Sequence, residues 1–79
     1  MTKGEYRVGI TFNPSNDDMV GKIKRAAADL IDLIESIPSG SDEWGFDAER
    51  VRLKALAQTA IEEGAMWAVK AATKPPSQN

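Results

Sequence analysis

The chain reads as an all-α protein: an antiparallel helical hairpin with a short N-terminal arm, extended or helical, assembled into a homo-oligomer. Three observations carry this expectation. Two long segments place apolar residues at helical spacing, a turn bearing proline and glycine separates them, and the second segment is apolar over too much of its surface for one partner helix to cover. With 79 residues, no Cys and no His, the chain forms one domain at most and lacks the disulfides or common metal ligands that reinforce small cores. Self-association is the route to stability that remains.

In the arm, residues 1–12, Tyr6, Val8, Ile10 and Phe12 alternate with other residues at the period of a strand, which fits a short strand or extended segment. Helix-start chemistry follows. Ser15 with Asp18 three residues later resembles a capping box, Asp17 and Asp18 suit the positive end of a helix dipole, and Asn13 before Pro14 is an alternative cap. The first helix is expected over 13–37, with Met19, Val20, Ile23, Ala27, Leu30, Ile31, Ile34 and Ile37 on its apolar face. Pro38 ends it, because proline disfavours helix at the residue before it, and 38–46 form a loop.

The second helix is expected over 47–73, before the polar tail 74–79 with its paired prolines. It carries two apolar stripes. Leu53, Leu56, Ala60 and Trp67 make one; Ala57, Ile61, Ala65, Ala68 and Ala72 make the other. Its small residues permit close helix approach, and Gly64, which costs about 1 kcal/mol against Ala inside a helix, is expected to be compensated by packing. Trp44 is expected to plug the end of the hairpin, and Trp67 to pack in the interhelical core or at an interface.

Several function classes are disfavoured. A net charge of −2 argues against DNA as partner, and apolar runs broken by charges, without a signal-peptide block, argue against a membrane and for a soluble, cytoplasmic protein. The lack of His, Cys and a nucleophile-elbow Ser removes the usual catalysts. Asp29, Asp32 and Glu35, or Glu62 and Glu63, raise the alternative of a Mg²⁺ site like that of all-α nucleotide pyrophosphohydrolases. The acid such a site needs three residues after the glutamate pair is Met66 here. Solvated carboxylates are the better reading, so no catalytic residue, metal or cofactor is expected. A helical module that only mediates association is the other alternative.

The basic cluster Lys22, Lys24 and Arg25 lies in the early turns of the first helix, where free N–H groups already favour anions. Lys22 and Arg25 share a face, Lys24 points elsewhere, and Asp17 and Asp18 could neutralise the cluster. Phe12 and Tyr6 supply flat surfaces that could stack on bases, although Phe12 also suits a hydrophobic staple.

The stretches "LAQTAIEEGAMWAVKAATKP", with Thr59, Ile61, Gly64, Met66, Lys70, Ala71 and Pro75 in order, and "FNPSNDDMVGKIKRAAADLIDLI" resemble the second and first helices of the phage anti-CBASS cyclic-nucleotide sponges. The resemblance spans Phe12 to Pro75. It implies a helical hairpin that assembles into a hexamer and sequesters, without cleaving, cyclic dinucleotides such as cyclic GMP-AMP, so that a bacterial CBASS effector stays inactive. Some members also hold cyclic trinucleotides at separate sites; Arg52 and Gln58 are the candidates here. By resemblance, Lys24 pairs with a phosphate and an N-terminal aromatic stacks on a base. Phe12 is the matching position, and Tyr6 competes because the family aromatic is a tyrosine further from the lysine. Asn13 and Arg25 complete the expected ligand-binding set. A nearly two-fold symmetric ligand suits an isologous interface, which offers each contact twice.

Overall fold

The arm is helical. In the computed structural model, which describes residues 1–40 and 46–77, α1 spans Lys3–Val8, α2 spans Asp18–Glu35 and α3 spans Phe46–Thr73. The alternation of Tyr6, Val8 and Ile10 pointed to a strand, but a local signal outweighs it. Thr2 Oγ1 accepts from the Glu5 N–H at 3.1 Å while Glu5 Oε1 accepts from the Thr2 N–H at 2.8 Å, a reciprocal box that starts a helix. Gly9, in the left-handed conformation at φ 66°, ends α1, and the Ile10 N–H reaches back to the Glu5 carbonyl.

The start of α2 also differs from expectation. Asp17 is the cap, its side chain accepting from the Met19 N–H at 2.8 Å, rather than Ser15 or Asn13. Asn13 instead brackets the cap, accepting from the Asp17 N–H at 3.2 Å and donating to the Asp17 carbonyl at 2.9 Å. This shifts the helix start past Asn16, which sits at φ 52°, a conformation that asparagine tolerates. At the other end Lys54 of α3 donates to the carbonyls of Glu35 and Ile37 at 3.0 and 2.6 Å, closing α2 just before Pro38. The expectation for Trp44 lies outside the described residues.

α2 and α3 run antiparallel: Lys54 faces Glu35, Gln58 donates to the Ile31 carbonyl at 3.2 Å, and Val69 lies near Val20 and Lys24. α1 lies mainly against α2 and touches α3 at its edge. Among the described residues only Val20, Ala28 and Ile31 are fully buried apolar side chains. The molecule measures 59 × 29 × 13 Å, so its shortest dimension is little more than one helix thick. Such a layer covers one side of each helix and leaves the other open.

The two stripes of α3 therefore have separate fates. Ala57, Ile61, Ala65, Ala68 and Ala72 are half-buried, whereas Leu53, Leu56, Ala60, Gly64 and Trp67 are exposed. Trp67, at 59% exposure, stands outside the hairpin core, with Lys70 Nζ 5.6 Å from its ring centroid. Among the described residues nothing beyond the neighbouring backbone of α3 lies within 4 Å of a Cβ built on Gly64, so their packing does not compensate that glycine. Leu30 and Leu33 on α2, with Ile37 just beyond its end, form a second exposed apolar row. Among the described residues no helix is long and apolar enough to cross a membrane.

Candidate functional site

Lys24 faces inward from the second turn of α2, on the side of Val20, Ala28 and Ile31, and is 8% exposed. A buried ammonium requires partners. The α1–α2 loop provides them: the Gly9 carbonyl accepts from Lys24 Nζ at 3.0 Å, and the Phe12 carbonyl accepts a second, shorter bond. The loop can present both because the left-handed Gly9 folds it back, with the Phe12 N–H bonded to the Gly9 carbonyl at 2.9 Å. The same ammonium lies 5.4 Å from the centroid of the Phe12 ring. Lys24 thus joins loop, ring and helix, and an ammonium has a third N–H to offer.

Two clefts flank this lysine, with Lys24 and Val69 lining both. One, of about 350 Å³, is lined by Phe12, Asn13, Pro14, Val20 and Thr73 as well. The other, of about 250 Å³, is lined by Arg7 and Val8 of α1 and by Glu62, Ala65 and Met66 of α3. Arg7 Nε donates to Glu62 Oε1 at 2.7 Å and Arg7 Nη2 to Thr59 Oγ1 at 3.3 Å. A third cleft, of about 280 Å³ and almost wholly apolar, lies far from these at the loop end of the hairpin, between Ile34, Ile37, Leu53 and Ala57.

The structure brings Phe12, Asn13 and Lys24 together around one cleft. Tyr6 and Arg25 lie elsewhere. Tyr6 is exposed on α1 and lines neither flanking cleft. Arg25 points to the α1 side, pairing with Glu5 Oε2 at 2.9 Å and Asp29 Oδ1 at 2.8 Å. These two partners raise the Arg25 pKa above its ordinary value, the Glu5 hydrogen bond most strongly. Lys22 is exposed and has no ion pair among the described residues. The acids Asp17 and Asp18 do not neutralise the cluster; Glu5 and Asp29 serve Arg25, and backbone carbonyls serve Lys24.

The carboxylates of the helices are occupied individually. Asp32 accepts the Gly4 N–H at 2.7 Å, Glu35 accepts from Lys3 at 2.8 Å and Gln58 at 3.0 Å, and Glu62 holds Arg7. Glu35 is held at about 2 by Lys3 and then Gln58; Glu5 is held at about 2 by the Thr2 backbone N–H and then Arg25. No group of three or more potential metal ligands converges among the described residues. Gln58, 2% exposed and bonded to Ile31, Glu35 and Lys3, is a strut of the hairpin, while Arg52 pairs with Glu49 on the α3 surface at 2.6 Å.

The Arg7–Glu62 contact has no signature in the sequence, because the two residues meet only through the docking of α1. Arg7 and Glu62 are 55 positions apart. No curated protein and no solved structure matches the chain. The sequence model of the Acb2/Tad1 hairpin domain, however, matches residues 4–73, which takes in α1 from Gly4 onward, the Lys24 loop, α2 and all of α3. The chain belongs to the Acb2/Tad1 hairpin-domain family, the family of anti-CBASS sponges.

Proposed function

We propose that the protein binds and sequesters cyclic dinucleotides such as cyclic GMP-AMP without cleaving them, keeping CBASS effectors of a bacterial host inactive from within its cytoplasm. Family membership supports the sponge role. The observation that carries the site is the position of Lys24, with its ammonium beside the Phe12 ring and between two open clefts. A phosphate takes the remaining N–H of Lys24 in a charge-assisted bond, and a base stacks on Phe12, which is 70% exposed and presents free aromatic surface. Asn13, at the rim, supplies polar contacts; Arg25 and Tyr6 act outside this site, Arg25 by holding α1.

Capture of this kind needs no catalytic group, only tight stoichiometric binding. Assembly supplies the second half of the ligand contacts. Leu30 and Leu33 of α2, with Ile37 just beyond its end, and Leu53, Leu56 and Trp67 of α3 are the exposed apolar surface that other subunits cover, in a hexamer. Cyclic trinucleotides are a second ligand class, bound apart from Lys24.

The test is release of ligand. The protein is incubated with cyclic GMP-AMP, separated from free ligand, heat-denatured, and the released nucleotide analysed. Intact cyclic dinucleotide is expected. A linear product would mean an enzyme, and no retained ligand would leave a helical assembly module. Repeating the capture with a cyclic trinucleotide in competition tests whether the two ligand classes share a site.

A further inference from the structure

Glu62 is an acid in the wall of a cleft beside the proposed anion site. It lines the smaller cleft together with Arg7 and Lys24, and by charge alone a carboxylate there repels a phosphate. What Glu62 holds gives it a different role. Arg7 Nε donates to Glu62 Oε1 at 2.7 Å and Arg7 Nη2 to Thr59 Oγ1 at 3.3 Å, so one guanidinium ties α1 to two residues of α3.

This tie stands apart from the others that hold α1. The first turn is fastened by Lys3 to Glu35 and Gln58, by the Gly4 N–H to Asp32 and by Glu5 to Arg25. Arg7 lies in the last turn. Gly9 moves with that turn, because its N–H donates to the Tyr6 carbonyl at 3.2 Å and the Ile10 N–H to the Glu5 carbonyl at 3.0 Å. The Gly9 carbonyl in turn accepts from Lys24 Nζ at 3.0 Å and from the Phe12 N–H at 2.9 Å. A shift of the last turn therefore carries with it both an acceptor that orients the Lys24 ammonium and the residue whose ring lies beside it.

We infer that Arg7 and Glu62 are positioning residues for the Lys24 site: their ion pair fixes the end of α1 and, through the Gly9 carbonyl, aims the Lys24 ammonium at a phosphate of the cyclic dinucleotide. The inference rests on the proposed phosphate contact of Lys24. Neither residue has to touch the ligand. The consequence has the opposite sign to simple electrostatics, since removing the negative charge of Glu62 weakens the binding of an anion. A pair that only stabilises the fold would lower the melting temperature and leave affinity, measured well below that temperature, unmoved.

Calorimetric titration of the full chain with cyclic GMP-AMP compares the wild type with Glu62→Ala, which places a good helix former at that position. Affinity is expected to fall about fivefold, within the range of coupling inside one hydrogen-bond network, and the loss to vanish in a Lys24→Met background. Without ligand, nitrogen-detected NMR of the lysine ammonium groups reads the same link, with the Lys24 signal assigned by its absence in Lys24→Met. Glu62→Ala is expected to speed hydrogen exchange at that ammonium. Equal or tighter binding by Glu62→Ala, an equal loss with and without Lys24, or an unchanged Lys24 signal would overturn the inference while leaving the sponge reading intact. A wild type that binds no ligand would overturn the sponge reading and the positioning role together. Should Glu62→Ala lose its helical circular dichroism, Glu62→Gln decides on the same sign: weaker binding supports the inference, and equal or tighter binding overturns it.

Discussion

Gly4 lies flat against Ala28: a Cβ built on Gly4 would stand 2.1 Å from the Ala28 carbonyl oxygen and under 3 Å from two further backbone atoms. α1 reaches α2 this closely because Gly4 has no side chain, and the contact is reinforced by the Gly4 N–H bond to Asp32. Backbone cannot move aside as a flexible side chain can. Gly4→Ala is expected to lift α1 from the hairpin and lower stability by about 1–3 kcal/mol, the range for overpacking, as read from urea denaturation. It should also enlarge the separation of Arg7 from Glu62, which a crosslink or NOE measurement would register.

Acid should loosen the same docking. Glu5 and Glu35, which hold Arg25 and Lys3, both titrate at about 2 rather than at the ordinary 4.5. A carboxylate whose folded pKa is depressed stabilises the fold above its unfolded pKa and loses that contribution as pH falls through the folded one. The melting temperature should be flat above pH 4.5 in respect of these groups and fall between pH 4.5 and 2. Glu5→Gln combined with Glu35→Gln should lower the neutral-pH value and flatten that acid limb; an unchanged limb would remove both residues from the linkage.

Lys24→Ala is expected to act twice. It leaves the Gly9 and Phe12 carbonyls without their ammonium, a loss of about 1.5–3 kcal/mol for hydrogen bonds to a charged group, and it weakens cyclic dinucleotide binding at least tenfold, about 1.4 kcal/mol. Thermal unfolding and calorimetry measure the two separately, well below the melting temperature for the second. Lower stability with unchanged affinity would make Lys24 a loop clamp alone.

Phe12 and Tyr6 differ in their surroundings rather than in exposure. Only Phe12 stands beside the Lys24 ammonium and lines a cleft with it. Phe12→Ala should cost about 1–3 kcal/mol of binding, the worth of a stacked base, while Tyr6→Ala leaves affinity within twofold. The reverse ranking would move the stacking surface to α1.

Gly64→Ala probes the exposed stripe of α3. Among the described residues the added methyl meets nothing beyond its own helix, so the isolated hairpin should gain about 0.5–1 kcal/mol from the better helix former. The same methyl sits between Ala60 and Trp67 on the face proposed for assembly, and light scattering after size exclusion should show a smaller particle at equal concentration. An intact assembly with a raised melting temperature would exclude Gly64 from the subunit contact.

The helices α2 and α3 and the two-striped surface of α3 were legible in the residues, because a 3.6-residue period is a local property of the chain. For the arm the pattern left extended and helical forms open, and the reciprocal Thr2–Glu5 capping box decides for the helix against the two-residue alternation of Tyr6, Val8 and Ile10. Ser15 had the spacing of a cap and lost that place to Asp17, which Asn13 grips from both sides. The lysine and aromatic of the candidate site could be named from local pattern and resemblance. Their partners could not.

Which α3 stripe enters the hairpin, and which cation finds a carbonyl rather than water, depends on the rotation of each helix about its axis. Contacts between residues far apart in the chain fix that rotation: Gly4 on Ala28, Gln58 against Ile31, and Arg7 with Glu62. Periodicity places Lys24 off the face of Lys22 and Arg25; only the packed loop turns it into a buried hub between two clefts.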